Sequence, residues 1–200
     1  NTPLSIIMGN IEMYEIENGK NKYLSNIEVA MKNISSIYDD LSYLIKKNEV
    51  NQATHIINIV DFVSSRIDFF SQSAIKFKSS FEFMSQQKEI LIEFNEIKLQ
   101  RIVDNNLTNA IKYSLPNKTI KVIINIENQH CNLIIESKSK QILDQQKIFE
   151  EYYREQTNDS EGFGLGLNLV KRICSEENVG IKLESGENWA SFTYTFKDIK

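Results

Sequence analysis

Four residues of RIVDNNLTNAIKYS (101–114) have the types and spacing to act on one ligand together. Asn105, Asn109, Lys112 and Tyr113 recur at i, i+4, i+7 and i+8, which puts them on one face of a helix. An amide oxygen can ligate Mg2+, and an amine one turn along can neutralise phosphate oxygens. A second feature is GFGLGL (162–167), which holds three of the chain's seven glycines. Gly162, Gly164 and Gly166 let the backbone approach a ligand closely, and the start of the helix that follows offers unpaired N–H groups and a positive dipole end. Just upstream, IFEEYYRE (148–155) supplies Phe149, Tyr152 and Tyr153 to pin one end of a lid, with Arg154 able to reach a phosphate. Taken singly, these three segments read equally well as a solvated face, a flexible turn and one turn of an amphipathic helix.

The elements that must position these residues can be read from apolar periodicity. Leu4, Ile7, Met8, Ile11 and Tyr14 keep helical time until Asn18-Gly19-Lys20, and a second run from Ile27 to Ile45 continues with a/d-like spacing. This predicts a helical hairpin over residues 1–48. Each helix carries an apolar stripe that a second hairpin would cover in a four-helix bundle, so the chain is expected to form a homodimer. Residues 49–54 are polar and aperiodic and read as a linker, followed by a second domain over 55–200. There the pattern predicts helices near 58–73, 96–113 (with Asn95 as N-cap) and 165–176. Strands are expected near 76–83, 89–94, 119–127, 131–137, 180–184 and 190–196. The predicted fold class is α+β, with helices on one face of a mixed, mostly antiparallel sheet.

Composition narrows the function. Of 200 residues 41% are hydrophobic and 25% charged, which suits a folded chain, and the formal charge of −4 gives no general basic field for nucleic acid. No nucleic-acid partner is expected. Cys131 and Cys174 are too few and too far apart in sequence for a disulfide framework or a zinc site. No apolar run approaches the ~18 residues of a membrane span. The chain is therefore expected to be a soluble, cytoplasmic piece, with any membrane attachment made through a longer parent protein.

In this order and spacing the segments resemble the ATP-binding domain of sensor histidine kinases, within the GHKL group that also holds gyrase, Hsp90 and MutL. NNLTNAIKYS corresponds to the N box, IFEEYYRE to the F box and GFGLGLNLVKRI to the G2 box. The N-terminal NTPLSIIMGNIE resembles the end of the phosphoacceptor pattern His-Glu-x-x-Thr-Pro-Leu, which would set the histidine three residues before Asn1. The resemblance implies a GHKL/Bergerat-type α/β sandwich binding ATP and Mg2+. Asn109 would be the metal ligand with Asn105 in support, Lys112 and Arg154 would meet phosphates, and Tyr113 would lie near the ribose or adenine. Gly162, Gly164 and Gly166, with Leu165 and Leu167 between and after, would bring backbone N–H groups to the phosphates. It also implies transfer of a phosphoryl group to histidine and then to an aspartate of a response regulator receiver domain, the expected second partner. Thr2, one turn after the missing histidine, would support the phosphatase reaction. Without that histidine, autophosphorylation is not expected from this chain alone.

Two segments depart from, or discriminate within, that family. Continuing the alternation Leu133, Ile135 puts Ser137 where the family's G1 box has an aspartate for the adenine amino group, and Ser139 and Gln141 stand at its glycine positions. Loss of a charge-assisted hydrogen bond would weaken adenine binding by about 1.5–3 kcal/mol. This motivates an alternative reading, a weakly nucleotide-binding dimeric scaffold or regulator phosphatase. At the first N-box position ATP-hydrolysing relatives carry a glutamate general base; Asn105 cannot take that proton, which favours phosphoryl transfer over hydrolysis.

Overall fold

The computed structural model describes residues 3–19, 21–24, 27, 30, 31, 34, 53–151, 153, 164–197 and 199. The chain divides into two compact units, Asn1–Val50 and Asn51–Lys200. In the first, helix α1 (Pro3–Asn18) ends where Gly19 takes φ +79° and its N–H returns to the Glu15 carbonyl at 2.9 Å. The predicted break at 18–20 is thus present. Ile11 and Met31 are buried, whereas Ile6, Ile7, Met13, Tyr14 and Ile16 are exposed. Of the predicted second helix, residues 22–24, 27, 30, 31 and 34 are helical, and the stretch 35–48 lies outside the described residues. Among the described residues no helix is long and apolar enough to cross a membrane.

The second unit is a two-layer α/β sandwich. Strand β1 (His55–Asn58) leads into α2 (Ile59–Lys76), then β2 (Ser79–Ser85), β3 (Leu91–Phe94) and α3 (Glu96–Tyr113). The hairpin β4 (Lys118–Glu127) and β5 (His130–Ser137) follows, then a 3-10 turn (Lys147–Phe149), α4 (Gly166–Glu176), β6 (Gly180–Gly186) and β7 (Trp189–Phe196). The main sheet has the order β2-β4-β5-β7-β6, parallel only between β2 and β4, and β1 pairs antiparallel with β3 in a small second sheet. Local chemistry explains the boundaries. Asn58 and Asn95 accept the N–H groups of Val60 (3.2 Å) and Lys98 (3.0 Å) as N-caps. Asn128 and Gln129, both left-handed at φ 51° and 63°, close the β4–β5 hairpin tightly. At the far end of β2, Gln86 donates its N–H to the Ile124 carbonyl, and its side-chain oxygen accepts from Ile126 N at 2.8 Å.

Period-2 alternation turns Ile120, Val122 and Ile124 of β4, Cys131, Leu133 and Ile135 of β5, and Tyr194 and Phe196 of β7 toward the helices. These pack against the buried stripes of the three helices, among them Val63 and Ile67 of α2, Ile102 and Leu107 of α3, and Val170 and Ile173 of α4. The opposite face mixes apolar Met84, Ile123 and Ile134 with polar residues, among which Asn132 bridges Asn125 (3.2 Å) and Thr195 (2.8 Å) across three strands. A T-shaped contact of Phe94 with Phe196, at 5.4 Å between centroids, joins the two sheets.

Two polar contacts cross the core. Tyr194, fully buried, donates its hydroxyl to Asn106 Oδ1 at 2.7 Å, and Asn106 Nδ2 donates to the Ile102 carbonyl at 2.7 Å. Lys98, itself buried, pairs with Glu177 and tethers the start of α3 to the end of α4. Replacing Asn106 by Leu leaves the Tyr194 hydroxyl buried without a partner and is expected to cost about 1–3 kcal/mol in denaturant unfolding. The double substitution N106L/Y194F should cost less than the sum of the single ones, because it removes both halves of the pair. Burial also pushes the Cys131 and Cys174 thiols up to about 12. Both should resist a thiol reagent in the folded protein and react together on unfolding.

Candidate functional site

Helix α3 carries the predicted polar face. Its buried stripe (Leu99, Ile102, Val103, Asn106, Leu107, Ala110, Ile111) turns Asn105, Asn109 and Lys112 to half-buried positions at the edge of the core and leaves Tyr113 exposed. Asn105 donates Nδ2 to the Arg101 carbonyl at 2.9 Å, one turn back, which fixes its amide. Lys112 Nζ lies 5.5 Å from the centre of the Tyr113 ring, a cation–π distance.

The glycine segment meets this face. Gly164 is left-handed at φ +71°, which turns the chain into α4. A Cβ at Gly166 would overlap Asn105 Oδ1, so with glycine there the first turn of α4 lies directly against the N-box amide. No side chain caps α4: its N-cap is Leu165, and Leu165, Gly166 and Leu167 are all half-buried. An uncapped helix start keeps N–H groups and the positive dipole end available to an anion. The two sequence features of most chemical interest, the N-box face at Asn105 and the glycine segment at Gly166, lie far apart in the chain and are thereby brought side by side.

The segment after β5 closes the other end. Ser137 is buried and pairs with Ala190. Leu115 N donates to the Lys138 carbonyl at 2.7 Å and Ser114 bridges to Ser139, so the end of α3 and the Ser137–Ser139 segment are stitched together. Ser139 is buried as well, and its hydroxyl goes to the Lys140 carbonyl at 3.2 Å. On the F-box side, Phe149 is buried edge-on to Phe192 at 6.4 Å, and its carbonyl accepts Asn168 Nδ2 of α4 at 3.0 Å. Asp144 accepts the Lys147 N–H at 3.0 Å and its Nζ at 3.1 Å; these bonds hold the Asp144 carboxyl below its usual range and raise Lys147.

Of the candidate residues, Asn105 and Gly166 are brought together, with Asn109, Lys112 and Tyr113 following along α3 and Gly164, Leu165 and Leu167 flanking Gly166, while Ser137 is buried at the end of β5, whose next residues are stitched to the end of α3. Thr2, Tyr152, Arg154 and Gly162 lie outside the described residues. Sequence reasoning missed Asn106, whose signal was its place on the apolar stripe: a lone amide among Ile102, Val103 and Ala110 needs a buried partner. It also missed Lys98, a lysine on that same stripe.

Residues 94–198 match the family model described as histidine kinase-, DNA gyrase B-, and HSP90-like ATPase, and the chain belongs to that family. Its curated relatives include the sensor histidine kinase YvrG of Bacillus subtilis (strain 168), 26% identical over 182 residues that make up 88% of this chain and 30% of YvrG. Full-length ShkA in complex with AMPPNP has a TM-score of 0.74 at 14% identity, over 98% of this chain and 43% of that one. Histidine kinase ThkA in complex with the response regulator TrrA has a TM-score of 0.68 at 18% identity, over 98% of this chain and 57% of that one. At these identities the structural likeness is one of fold. The chain spans 30 to 46% of the length of curated relatives such as these.

Gly166→Ala tests the juxtaposition directly. Its methyl must displace the Asn105 amide, so the variant is expected to lose nucleotide affinity at least tenfold in calorimetry while its far-UV spectrum stays that of the parent.

Proposed function

We propose that residues 55–200 bind Mg·ATP and transfer the γ-phosphoryl group to a histidine, from which it passes to an aspartate of a response regulator. Residues 1–48 would form the dimerisation hairpin. The observation that carries this reading is the contact of Gly166 with Asn105, which sets an uncapped helix start beside a face of amides and an amine. Such a surface suits a triphosphate and its metal: N–H groups for phosphate oxygens, amide oxygens for a hard cation, and Lys112 for the remaining charge.

Asn109 would hold the Mg2+, supported by Asn105. Lys112 and Arg154 would meet phosphates, and the N–H groups of the segment from Gly162 to Leu167 would complete the cradle. Tyr113 would pack near the ribose or adenine, with Ser137 toward the adenine amino group. When bound, the metal supplies charge neutralisation on the phosphates; the side chains supply position. Asn105 has no basic site to take a proton from water, so the face is built to keep a phosphoryl group for transfer. ShkA with AMPPNP and ThkA with TrrA are relatives in fold whose complexes agree with both halves of the proposal.

One observation favours a second reading. Ser137 and Ser139 are buried at the adenine end, and neither brings a carboxylate. A domain with weak adenine affinity would act as a dimeric scaffold, or as a regulator phosphatase through Thr2. Magnesium-dependent thermal stabilisation by a non-hydrolysable ATP analogue distinguishes the two, since it is expected of the kinase and should be absent at millimolar nucleotide for the scaffold. Within the kinase reading, Asn109→Ala should abolish Mg·ATP binding with the melting temperature of the free protein preserved. Unchanged affinity in calorimetry would remove Asn109 from the metal site.

A further inference from the structure

Although the chain is acidic overall, residues 69–81 and 105–126 contain no aspartate or glutamate. The fold joins these two stretches at one corner. Helix α2 ends at Lys76, Phe77 forms its C-cap, Lys78 turns the chain with φ 57°, and β2 begins at Ser79. Opposite, Asn117 turns with φ 60° and donates its N–H to the Lys78 carbonyl at 2.7 Å, and Lys118 at the start of β4 pairs with Ser79. Lys76, Lys78 and Lys118 are exposed, and none makes an ion pair among the described residues. Alternating in the chain with Lys76 and Lys78 are two exposed apolar residues, Ile75 at 63% and Phe77 at 54% exposure.

The residue types run against what a plain surface turn would select. A left-handed position favours glycine or asparagine, yet position 78 holds a lysine. An isoleucine and a phenylalanine left largely exposed beside it call for an apolar phase, and three unpaired lysines call for an anionic one. A polyanion such as nucleic acid satisfies the lysines alone and gives Ile75 no partner. The surface of an anionic lipid bilayer offers both within a few ångströms, acyl chains beneath a layer of negative headgroups.

We propose that the corner formed by residues 75–78 and 117–118 docks on anionic membrane surfaces, with Ile75 and Phe77 entering the headgroup boundary and Lys76, Lys78 and Lys118 on the phosphates. This surface makes no use of the nucleotide face, and its test is independent of nucleotide binding.

The measurement is sedimentation of the 200-residue chain with vesicles of phosphatidylglycerol mixed with phosphatidylcholine, against vesicles of phosphatidylcholine alone. Binding is expected only to the anionic vesicles, and should be lost toward about 1 M salt, where the screening length falls to about 3 Å. K78Q/K118Q should bind about 25-fold more weakly, roughly fivefold for each lysine removed. Phe77→Ser should also weaken binding at unchanged charge. All these side chains are exposed, and thermal unfolding checks that the variants keep the fold. Equal binding to both vesicle types, no binding to either, or full binding by K78Q/K118Q would overturn the proposal. So would retention by duplex DNA that Phe77→Ser leaves intact while the vesicles stay free.

Discussion

Helix α3 has to do two opposed things, bury one side in the sheet and keep the other open to a ligand. The hydrogen bond from Tyr194 to Asn106 fixes how the helix is rotated between them. Apolar packing tolerates a few degrees of roll about a helix axis, but a donor and an acceptor at 2.7 Å in a dry core do not. With Asn106 locked inward, Asn105 and Asn109 stand at the rim. The Lys98–Glu177 pair acts at the other end, setting α4 against α3, and so governs where the start of α4 arrives. The contact of Gly166 with Asn105 follows from these two constraints together.

Much of this was legible in the sequence because the signals are local. Asn95 announced the start of α3, and the alternation in 118–137 announced a hairpin whose two turn residues are both left-handed. The helix and strand ranges of the second unit were met within a few residues. What escaped was non-local. Strand β1 has only four residues, HIIN, too short for an alternation to show, and pairs with Leu91–Phe94. His55, where the second domain was expected to begin, is the first residue of the strand and pairs with Phe94.

The site divides in the same way. Spacing along one helix was enough to group Asn105, Asn109, Lys112 and Tyr113. That Gly166 would touch Asn105 could not come from spacing, because it depends on two helices that are distant in sequence meeting in space. Ser137 was placed by counting along a strand and does end β5, where its neighbour across the ladder is Ala190. What the structure adds is that Ser137 is buried, one residue before the Lys138 carbonyl that Leu115 holds.

Gln86 leads to a different matter. Its side-chain oxygen takes the Ile126 N–H that its own main-chain carbonyl would have accepted had β2 run on. A side chain here counterfeits one more rung of strand. The Ile126 N–H is thereby denied to a stray strand from another molecule, where β4 runs on past the end of β2. An amide that finishes a ladder thus also removes one unpaired donor that another molecule's strand could have used.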